Sequence, residues 1–376
     1  MKLTIFGLTI SSSWGNGHAT PYRALIRALS RLGQEVVFYE KDVDYYACHR
    51  DFHASDDCEL VLYSTWTQIR GRALADAAES DAVLIGSYCP EGARIGDELL
   101  SLARPLRVFY DLDTPITLQG ISERDLDYLR RDQLSGFDLY LSFTGGEILR
   151  ELQEAWGVRL PLPLYGCVDP DVYARVPECT EFSCVLSYMG TFAADRQQKL
   201  EQFFLEPALR MPQLTFLLAG SLYPWQWMWP ANVRRFEHVA PSEHAALYSS
   251  SRATLNITRA GMARTGYCPS GRFFEAAACG TPILSDWWEG LDAFFLPGEE
   301  IFVVRDCQDV IRALASDNLS KMAARARQRT LEDHTGDRRA KQLLTYLEQA
   351  RSRSDQGAHQ GTHPGSAENV YQETAP

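Results

Sequence analysis

The 376-residue sequence lacks several features that mark particular classes of protein. No apolar run approaches the roughly 20 residues that span a bilayer, and the opening KLTIFGL is shorter than the apolar core of a signal peptide. The nine cysteines are scattered without a CxxC pair, which argues against a disulfide framework. No internal repeat of solenoid length is present. We therefore expect a cytoplasmic protein in a reducing environment, without a membrane span.

Basic clusters are also missing from the sequence. Lys and Arg number 37 against 49 Asp and Glu, so the formal net charge is -12 at pH 7. This acidic balance disfavours nucleic acid as a partner, and an anionic ligand would have to be held by local arginines. A clear metal-ligand set is absent as well, because the Asp-Leu-Asp segment at Asp111 and Asp113 equally suits a turn. We therefore expect no metal site.

Short apolar segments alternate with amphipathic segments along most of the chain. Residues 2–8 and 35–40 are typical of buried strands, and between them a helix opens at Pro21 and stops at Gly33. This unit is the beginning of a doubly wound α/β domain, and the length suggests two domains. Further strands are predicted at 82–86, 106–110, 138–143, 162–165, 183–189, 214–220, 253–257 and 301–304. Helical patterns in the first half lie near 92–103, 122–131 and 147–156.

Polar loops follow several predicted strands, where open α/β sheets place their ligands. The GxG pattern at Gly15 has Thr20 in place of a third glycine, so NAD or FAD binding is disfavoured. His18 follows at a helix start, where a neutral imidazole can take a proton from a hydroxyl, or can simply anchor the loop. Asp113 is a second acid–base candidate, with the alternative that it caps a helix before Pro115.

The most informative segment is SGRFFEAAACGTPILSDWWE, residues 270–289. Ser270 suits a helix N-cap, and Gly271 allows close approach of the backbone to a ligand. Arg272 opposes the helix dipole unless an external phosphate lies at this helix end. Glu275 stands one turn further on, among small residues, where it could accept two ribose hydroxyls or pair locally. From the residues alone both roles of Glu275 stay open.

The segment FEAAACGTPIL resembles the donor-sugar motif of group 1 glycosyltransferases, which have the two-domain GT-B fold. Together with SSSWGNGHATPYRALIRAL, FYDLDTP, DLYLSFTGG, GCVDP and MGTFAADRQ, it makes about residues 1–350 similar to the CgeB-like, spore-maturation-type branch of that family. The resemblance gives Glu275 the role of binding the ribose of a nucleotide sugar. The longer family pattern has a second glutamate eight positions earlier, where this chain has Tyr267, so the pattern is incomplete.

The resemblance implies an α/β architecture of two Rossmann-like doubly wound domains with an interdomain cleft and a C-terminal crossover helix. Residues 1–167 would form the acceptor-side domain and 168–335 the nucleotide-sugar-binding domain. Residues 336–350 would form the crossover helix. Residues 351–376 are rich in Ser, Gly, His, Gln and Pro and are expected to be a disordered tail.

The resemblance also implies a function and a site. The expected reaction is metal-independent transfer of a hexose from a nucleotide diphosphate sugar, in the first place a UDP-sugar, to an acceptor hydroxyl, with no further cofactor. The acceptor could be a small molecule, a polysaccharide or a protein. Rival hypotheses are a nucleotide-sugar epimerase on the same fold and a non-catalytic sugar-binding protein. The catalytic candidates are His18 and Asp113, and the donor-binding candidates are Gly17, Gly190, Thr191, Arg196, Arg259, Ser270, Gly271, Arg272 and Glu275. For Arg196 the alternative is a solvated helix residue.

Overall fold

A computed structural model describes residues 1–53, 55–224 and 226–360. Its first sheet contains β1 (Lys2–Gly7), β2 (Glu35–Lys41), β3 (Glu59–Tyr63), β4 (Ala82–Gly86), β5 (Leu106–Asp111), β6 (Leu139–Ser142) and β7 (Pro161–Pro163). The strands are all parallel, in the order β3-β2-β1-β4-β5-β6-β7. The predicted doubly wound first half is confirmed.

The second sheet is built in the same way. It contains β8 (Leu186–Met189), β9 (Phe216–Ala219), β10 (Val233–Phe236), β11 (Thr254–Asn256), β12 (Ile283–Ser285) and β13 (Phe302–Val303). The strands are parallel and ordered β10-β9-β8-β11-β12-β13. Both sheets reverse their order beside their first strand, and open α/β sheets form a ligand crevice at this switch point.

Helices cover both faces of each sheet. They are α1 (Ala19–Arg31), α2 (Asp44–Ala47), α3 (Trp66–Glu79), α4 (Gly92–Leu100), α5 (Thr114–Glu123), α6 (Glu147–Glu154), α7 (Gln197–Leu200), α8 (Glu206–Arg210), α9 (Pro241–Ser249), α10 (Ala260–Thr265), α11 (Gly271–Ala278), α12 (Cys307–Leu314), α13 (Leu319–Asp333) and α14 (Gly336–Gln360). Side chains of β1 alternate between the two cores, since Leu3 and Ile5 face one cluster and Phe6 the other. Burial on both faces explains why the strands read as continuous apolar runs.

The helix predicted at 122–131 is wrong. The helix here is α5, which ends at Glu123, and residues 124–130 are not helical. Tyr128 and Leu129 are buried all the same, because the irregular segment is tied down by a hydrogen bond from the Ala93 amide to the Asp127 carbonyl, 2.9 Å long. Apolar residues at helical spacing are therefore buried here by an anchored loop instead of a helix.

The C-terminal crossover helix is confirmed. α14 packs on α1, and Leu343 and Leu347 join the core cluster that contains Leu25. The approach is close at Gly336, where a Cβ would lie 2.5 Å from the Ala24 carbonyl oxygen.

α14 extends to Gln360 rather than ending at the predicted residue 350. The sequence has no proline before 364 to stop it. Residues 351–360 are thus helical and not part of a disordered tail, while 361–376 lie outside the described residues. Within the described chain, no helix is long and apolar enough to cross a bilayer.

Candidate active site

A cavity of about 520 Å³ lies beyond the carboxyl ends of the strands in both sheets, between the two domains. Its wall on the side of the first sheet comes from the loops after β1, β4 and β5. Its wall on the side of the second sheet comes from the loops after β8, β9 and β11 and from the start of α11. Every residue proposed from the sequence lines it: Gly17, His18, Asp113, Gly190, Thr191, Arg196, Arg259, Ser270, Gly271, Arg272 and Glu275.

His18 and Asp113 form a pair on the wall of the first domain. His18 is buried, and its Nε2 lies 3.3 Å from Asp113 Oδ2. Asp113 does occupy the N-cap position of α5, and its carbonyl accepts hydrogen bonds from the amides of Ile116 and Thr117. Its carboxylate makes no capping bond, however. The capping alternative therefore holds for the backbone of Asp113, and the carboxylate remains available to His18.

The second ring nitrogen of His18 has a different environment. Nδ1 is buried and has no hydrogen-bond partner among the described residues. If Nε2 donates its proton to the Asp113 carboxylate, the neutral tautomer leaves a lone pair on Nδ1. Buried polar atoms normally have a partner, so Nδ1 lacks the partner expected of it and has the lone pair of a proton acceptor.

The loop that carries His18 is held by Glu40, which sequence reasoning missed. This carboxylate is buried at the end of β2 and accepts four hydrogen bonds from the loop. The donors are Thr9 Oγ1 at 2.8 Å, the Ile10 amide at 2.7 Å, and the amide and Oγ of Ser11 at 2.9 and 2.5 Å. Charge-assisted bonds of this kind fix the loop geometry strongly. The signal available in the sequence was a glutamate that directly follows the apolar run of this strand.

The two aspartates of the Asp-Leu-Asp segment have separate roles. Asp111 is fully buried and accepts hydrogen bonds from Tyr140 Oη at 2.5 Å, Thr117 Oγ1 at 2.8 Å and the Asp113 amide at 3.1 Å. Burial raises the pKa of Asp111 to about 6. Asp111 thus holds the turn, and Asp113 faces the cavity. No group of three or more His, Cys, Asp or Glu side chains that could hold a metal ion occurs in the described part of the chain.

Three arginines converge on the wall of the second domain. Arg196 is only 6% exposed, so the solvated-helix alternative is wrong; the side chain turns inward and donates to the Thr191 carbonyl. Its Nε is buried without a partner among the described residues. Burial lowers the pKa of Arg196, and the positive charges of Arg272 and Arg259 lower it further.

The positive charge of this wall is largely uncompensated. Arg259 Nε lies 3.9 Å from an oxygen of Asp195. In the described residues no carboxylate comes within 4.0 Å of the guanidinium of Arg196 or Arg272. A buried cation without a counter-ion is costly, and a bound anion removes that cost. The arrangement is suited to a phosphate or diphosphate.

The N-terminus of α11 lies on the same wall. Ser270 has the extended backbone of an N-cap, φ -69° and ψ 141°, but its side chain makes no capping bond. The first amides of a helix have no intrahelical partners and attract anions. A Cβ on Gly271 would meet only Glu275 Oε1, at 4.0 Å, so this helix start faces open space. The Phe273 amide bonds the Ser270 carbonyl at 3.0 Å, and the amides of Gly271 and Arg272 add to the anion-binding character of the arginines.

Glu275 lies one turn into α11 and is 7% exposed. Tyr248 Oη donates to its Oε2 at 3.4 Å, and His244 Nδ1 is 3.9 Å away. Burial raises the pKa of Glu275 to about 7, while Arg272 acts in the opposite direction. Glu275 therefore has a local partner and also access to the cavity, so its carboxylate can accept ligand hydroxyls.

Tyr267, which replaces the second glutamate of the motif, packs the two domains together. Its carbonyl accepts a hydrogen bond from the Gly145 amide at 3.0 Å, and its amide donates to the Glu289 carbonyl at 2.7 Å. Its ring lies against Gly146 and Gly290, where a Cβ would come within 2.5 and 2.4 Å of it. Tyr267 is not among the residues that line the cavity.

Comparisons with known proteins agree with this architecture. A family described as "Glycosyl transferase-like" matches residues 196–345. A search of curated protein sequences found no match. Among solved structures, sucrose-phosphate synthase from Thermosynechococcus elongatus is 13% identical with a TM-score of 0.66, over 94% of this chain and 99% of that chain.

Two further structures carry ligands. HepE from Anabaena, in complex with UDP and glucose, is 13% identical with a TM-score of 0.61, over 93% of this chain and 100% of that chain. An alpha-glucosyltransferase in complex with UDP-glucose and DNA is 14% identical with a TM-score of 0.68, over 93% of this chain and 99% of that chain. At these identities the likeness shows the fold. Residues 196–345 thus resemble a glycosyl transferase-like family, and the expected two-domain GT-B fold is confirmed.

Proposed function

We propose that this chain transfers a hexose from a UDP-sugar to an acceptor hydroxyl, and that arginines rather than a metal ion balance the charge of the diphosphate. The observation that carries this proposal is that Arg196, Arg272 and Glu275 converge on one wall of a single cavity, opposite His18 and Asp113. UDP is favoured among the nucleotides because it is present in the HepE and alpha-glucosyltransferase complexes.

In the proposed complex, the donor lies along the wall of the second domain. The diphosphate contacts Arg196, Arg272 and the first amides of α11, with Arg259 at the more exposed side. Glu275 accepts the ribose hydroxyls, and the backbone at Gly190 and Thr191 approaches the donor. When the bond between sugar and phosphate breaks, its electron pair stays on the UDP oxygen, and these groups stabilise the negative charge.

The acceptor hydroxyl lies against the opposite wall. If the reaction inverts the anomeric carbon, the hydroxyl attacks it and gives its proton to His18 Nδ1, while Asp113 holds the imidazole through Nε2. If the configuration is retained, the same nitrogen orients the hydroxyl. A second wall with its own proton acceptor favours a transferase over an epimerase, because an epimerase needs no acceptor. The spore-maturation-type branch remains our prediction for the place of this chain within the family.

Calorimetry with UDP, GDP and dTDP tests the donor site. We expect UDP to bind most tightly, and Glu275→Ala to weaken UDP binding at least tenfold, because the variant loses the acceptor for the ribose hydroxyls. The matched control is Glu243→Ala, an exposed residue of α9 that does not line the cavity. Equal UDP affinity in the Glu275→Ala variant and the wild type would exclude the ribose role. UDP-sugar turnover that disappears with EDTA and returns with Mg²⁺ would contradict the metal-free mechanism.

A further inference from the structure

Tyr88 has a backbone conformation that a bulky residue rarely adopts. It follows β4 directly, and its φ is 61°, in the left-handed region. Such conformations cost free energy and persist where the surrounding structure enforces them, often at functional sites. Backbone hydrogen bonds of the residues on both sides of Tyr88 hold it in this conformation. The Ser87 amide donates to the Tyr110 carbonyl at 3.0 Å, and the Cys89 amide donates to the Gly86 carbonyl at 3.2 Å.

The strained conformation directs the Tyr88 side chain to the catalytic pair. Its ring lies edge-on to the His18 ring, with centroids 5.4 Å apart, and rests on Tyr128 at 5.0 Å. Tyr88 lines the cavity. Burial and the charge of Asp113 raise the pKa of Tyr88, and no hydrogen bond to a described residue contributes. The hydroxyl is therefore protonated at neutral pH and free to bond a ligand.

The wall around Tyr88 is uncharged apart from one carboxylate. Tyr46 and Phe143 are the other aromatic side chains of the first domain that line the cavity, and Asp113 is its only Asp, Glu, Lys or Arg there among the described residues. The arginines all belong to the opposite wall. A phosphorylated or otherwise anionic acceptor would meet Asp113 on this side, and the cation whose charge reaches Tyr88 is Arg259 of the opposite wall, which pairs with Asp195. The C–H face of a sugar ring, by contrast, packs well on aromatic side chains.

We propose that Tyr88 is an acceptor-binding residue, and that the part of the cavity beside Tyr88 and His18 takes a neutral, hydroxyl-bearing ring such as a pyranoside. The proposal rests on the proposed glycosyltransferase function. The Tyr88 hydroxyl bonds one acceptor hydroxyl, and its ring packs on the acceptor face, so that a neighbouring hydroxyl reaches His18.

The acceptor class is tested by following UDP release from UDP-glucose with a panel of acceptors. We expect phenyl and methyl glucopyranoside to raise the rate above the hydrolysis in buffer, and glucose 6-phosphate and duplex DNA containing hydroxymethyluracil to leave it unchanged. Faster release with the phosphorylated sugar or the DNA would overturn the neutral class. No response to either glucoside would overturn it as well. UDP binding by calorimetry, measured alongside, reports separately on the donor site.

The role of Tyr88 is tested with two variants and the best neutral acceptor. Tyr88→Phe removes only the hydroxyl, and we expect it to raise the acceptor KM about tenfold. This factor corresponds to the loss of one hydrogen bond that contributes about 1.4 kcal/mol to acceptor binding. Tyr88→Asn removes the ring but tolerates a positive φ. We expect it to raise the acceptor KM further, while its Tm stays equal to that of the wild type or rises by about 2–4 °C because strain is relieved.

Glu91 supplies the matched control. It also has a positive φ, 58°, in the same turn, but it does not line the cavity. We expect Glu91→Asn to leave the acceptor KM unchanged. An unchanged KM in both Tyr88 variants would overturn the proposal. A fall in Tm of the Tyr88→Asn variant with no rise in KM would show that the ring serves only to pack against Tyr128.

Discussion

Glu275 makes the pH dependence of stability a test of the donor site. The side chain is buried, and its pKa is raised to about 7. Glutamine has nearly the same shape and carries no charge, so Glu275→Gln removes the cost of ionisation without opening a cavity. Of the groups near Glu275, burial lowers the pKa of His244 to about 4 and raises the pKa of Tyr248. Glu275 therefore dominates the titration of this network between pH 5 and 8.

The sign follows from the direction of the shift. An unfolded glutamate has a pKa of 4.5, so between pH 4.5 and 7 the folded state holds a proton that the unfolded state has released. The free energy of unfolding of the wild type therefore falls as pH rises through this window. The shift from 4.5 to about 7 corresponds to a cost of about 3 kcal/mol above pH 7. Glutamine has no such cost.

We expect Glu275→Gln to be more stable than the wild type by about 1 kcal/mol near pH 5 and by up to about 3 kcal/mol at pH 8. For a domain of this size that difference corresponds to a Tm gap of about 6–12 °C. Thermal denaturation from pH 5 to 8.5, without ligand, measures the gap. Glu243→Gln, an exposed residue of α9, is the control and should give a small gap that does not change with pH. A gap between Glu275→Gln and the wild type that is independent of pH would refute the reasoning.

The same substitution links stability to ligand binding. Ribose hydroxyls donate to the ionised carboxylate, so UDP should stabilise the wild type more at pH 8 than at pH 6. The Glu275→Gln variant should lose this dependence and bind UDP more weakly at both pH values. A site residue that lowers the stability of the free protein and strengthens ligand binding is the usual trade-off between stability and function.

Two further predictions concern the chemical step. We expect His18→Ala to lower kcat by about 100- to 10,000-fold, with the Kd for UDP nearly unchanged. Asp113→Asn should cause a smaller loss of kcat, because it leaves the Nδ1 base in place. Equal kcat in His18→Ala and the wild type would remove His18 from the mechanism. We expect Arg196→Ala to lower kcat by about 100- to 1000-fold, or about 2.7–4 kcal/mol, and Arg259→Ala to have a smaller effect, because Arg259 is exposed and pairs with Asp195. Steady-state kinetics measures both, and a larger loss for Arg259→Ala than for Arg196→Ala would contradict the assignment of the diphosphate to the buried arginine.

Most of the fold could be predicted because parallel strands buried on both faces leave a plain signal. The predicted strand at 82–86 coincides with β4, and the others differ from the structure by a few residues at their ends. β3, β10 and α3 were not predicted. α3 buries only Trp66, Ala73 and Ala77 of its residues, so its amphipathic pattern is weak.

Residues that line the cavity could be predicted where they belong to a sequence motif, and not where a backbone conformation or a distant contact matters. His18, Arg272 and Glu275 belong to motifs, and all three line the cavity. Glu40 acts through bonds to a loop about 30 residues away, which no local pattern shows. The conformation of Tyr88 leaves no signal at all, because a positive φ is expected of glycine, not of tyrosine.

The distribution of charge across the cavity ties these features to one mechanism. The wall of the second domain concentrates positive charge, and the wall of the first domain offers a lone pair on His18 backed by a carboxylate. In the proposed reaction, electron density moves from the acceptor hydroxyl, at the wall of the first domain, to the departing diphosphate, at the wall of the second domain. Each wall therefore stabilises the charge that develops beside it.

This mechanism requires the two walls to stay at a fixed separation. Several contacts join them, among them the Trp14 ring, which lies 4.4 Å from the His238 ring, and the Gly145 amide, which donates to the Tyr267 carbonyl at 3.0 Å. Alignment of reacting groups contributes a large part of enzymatic rate enhancement, and it is sensitive to displacements of about 1 Å. In the proposed mechanism, Tyr267 holds the domains together at the position where the family motif has a second glutamate.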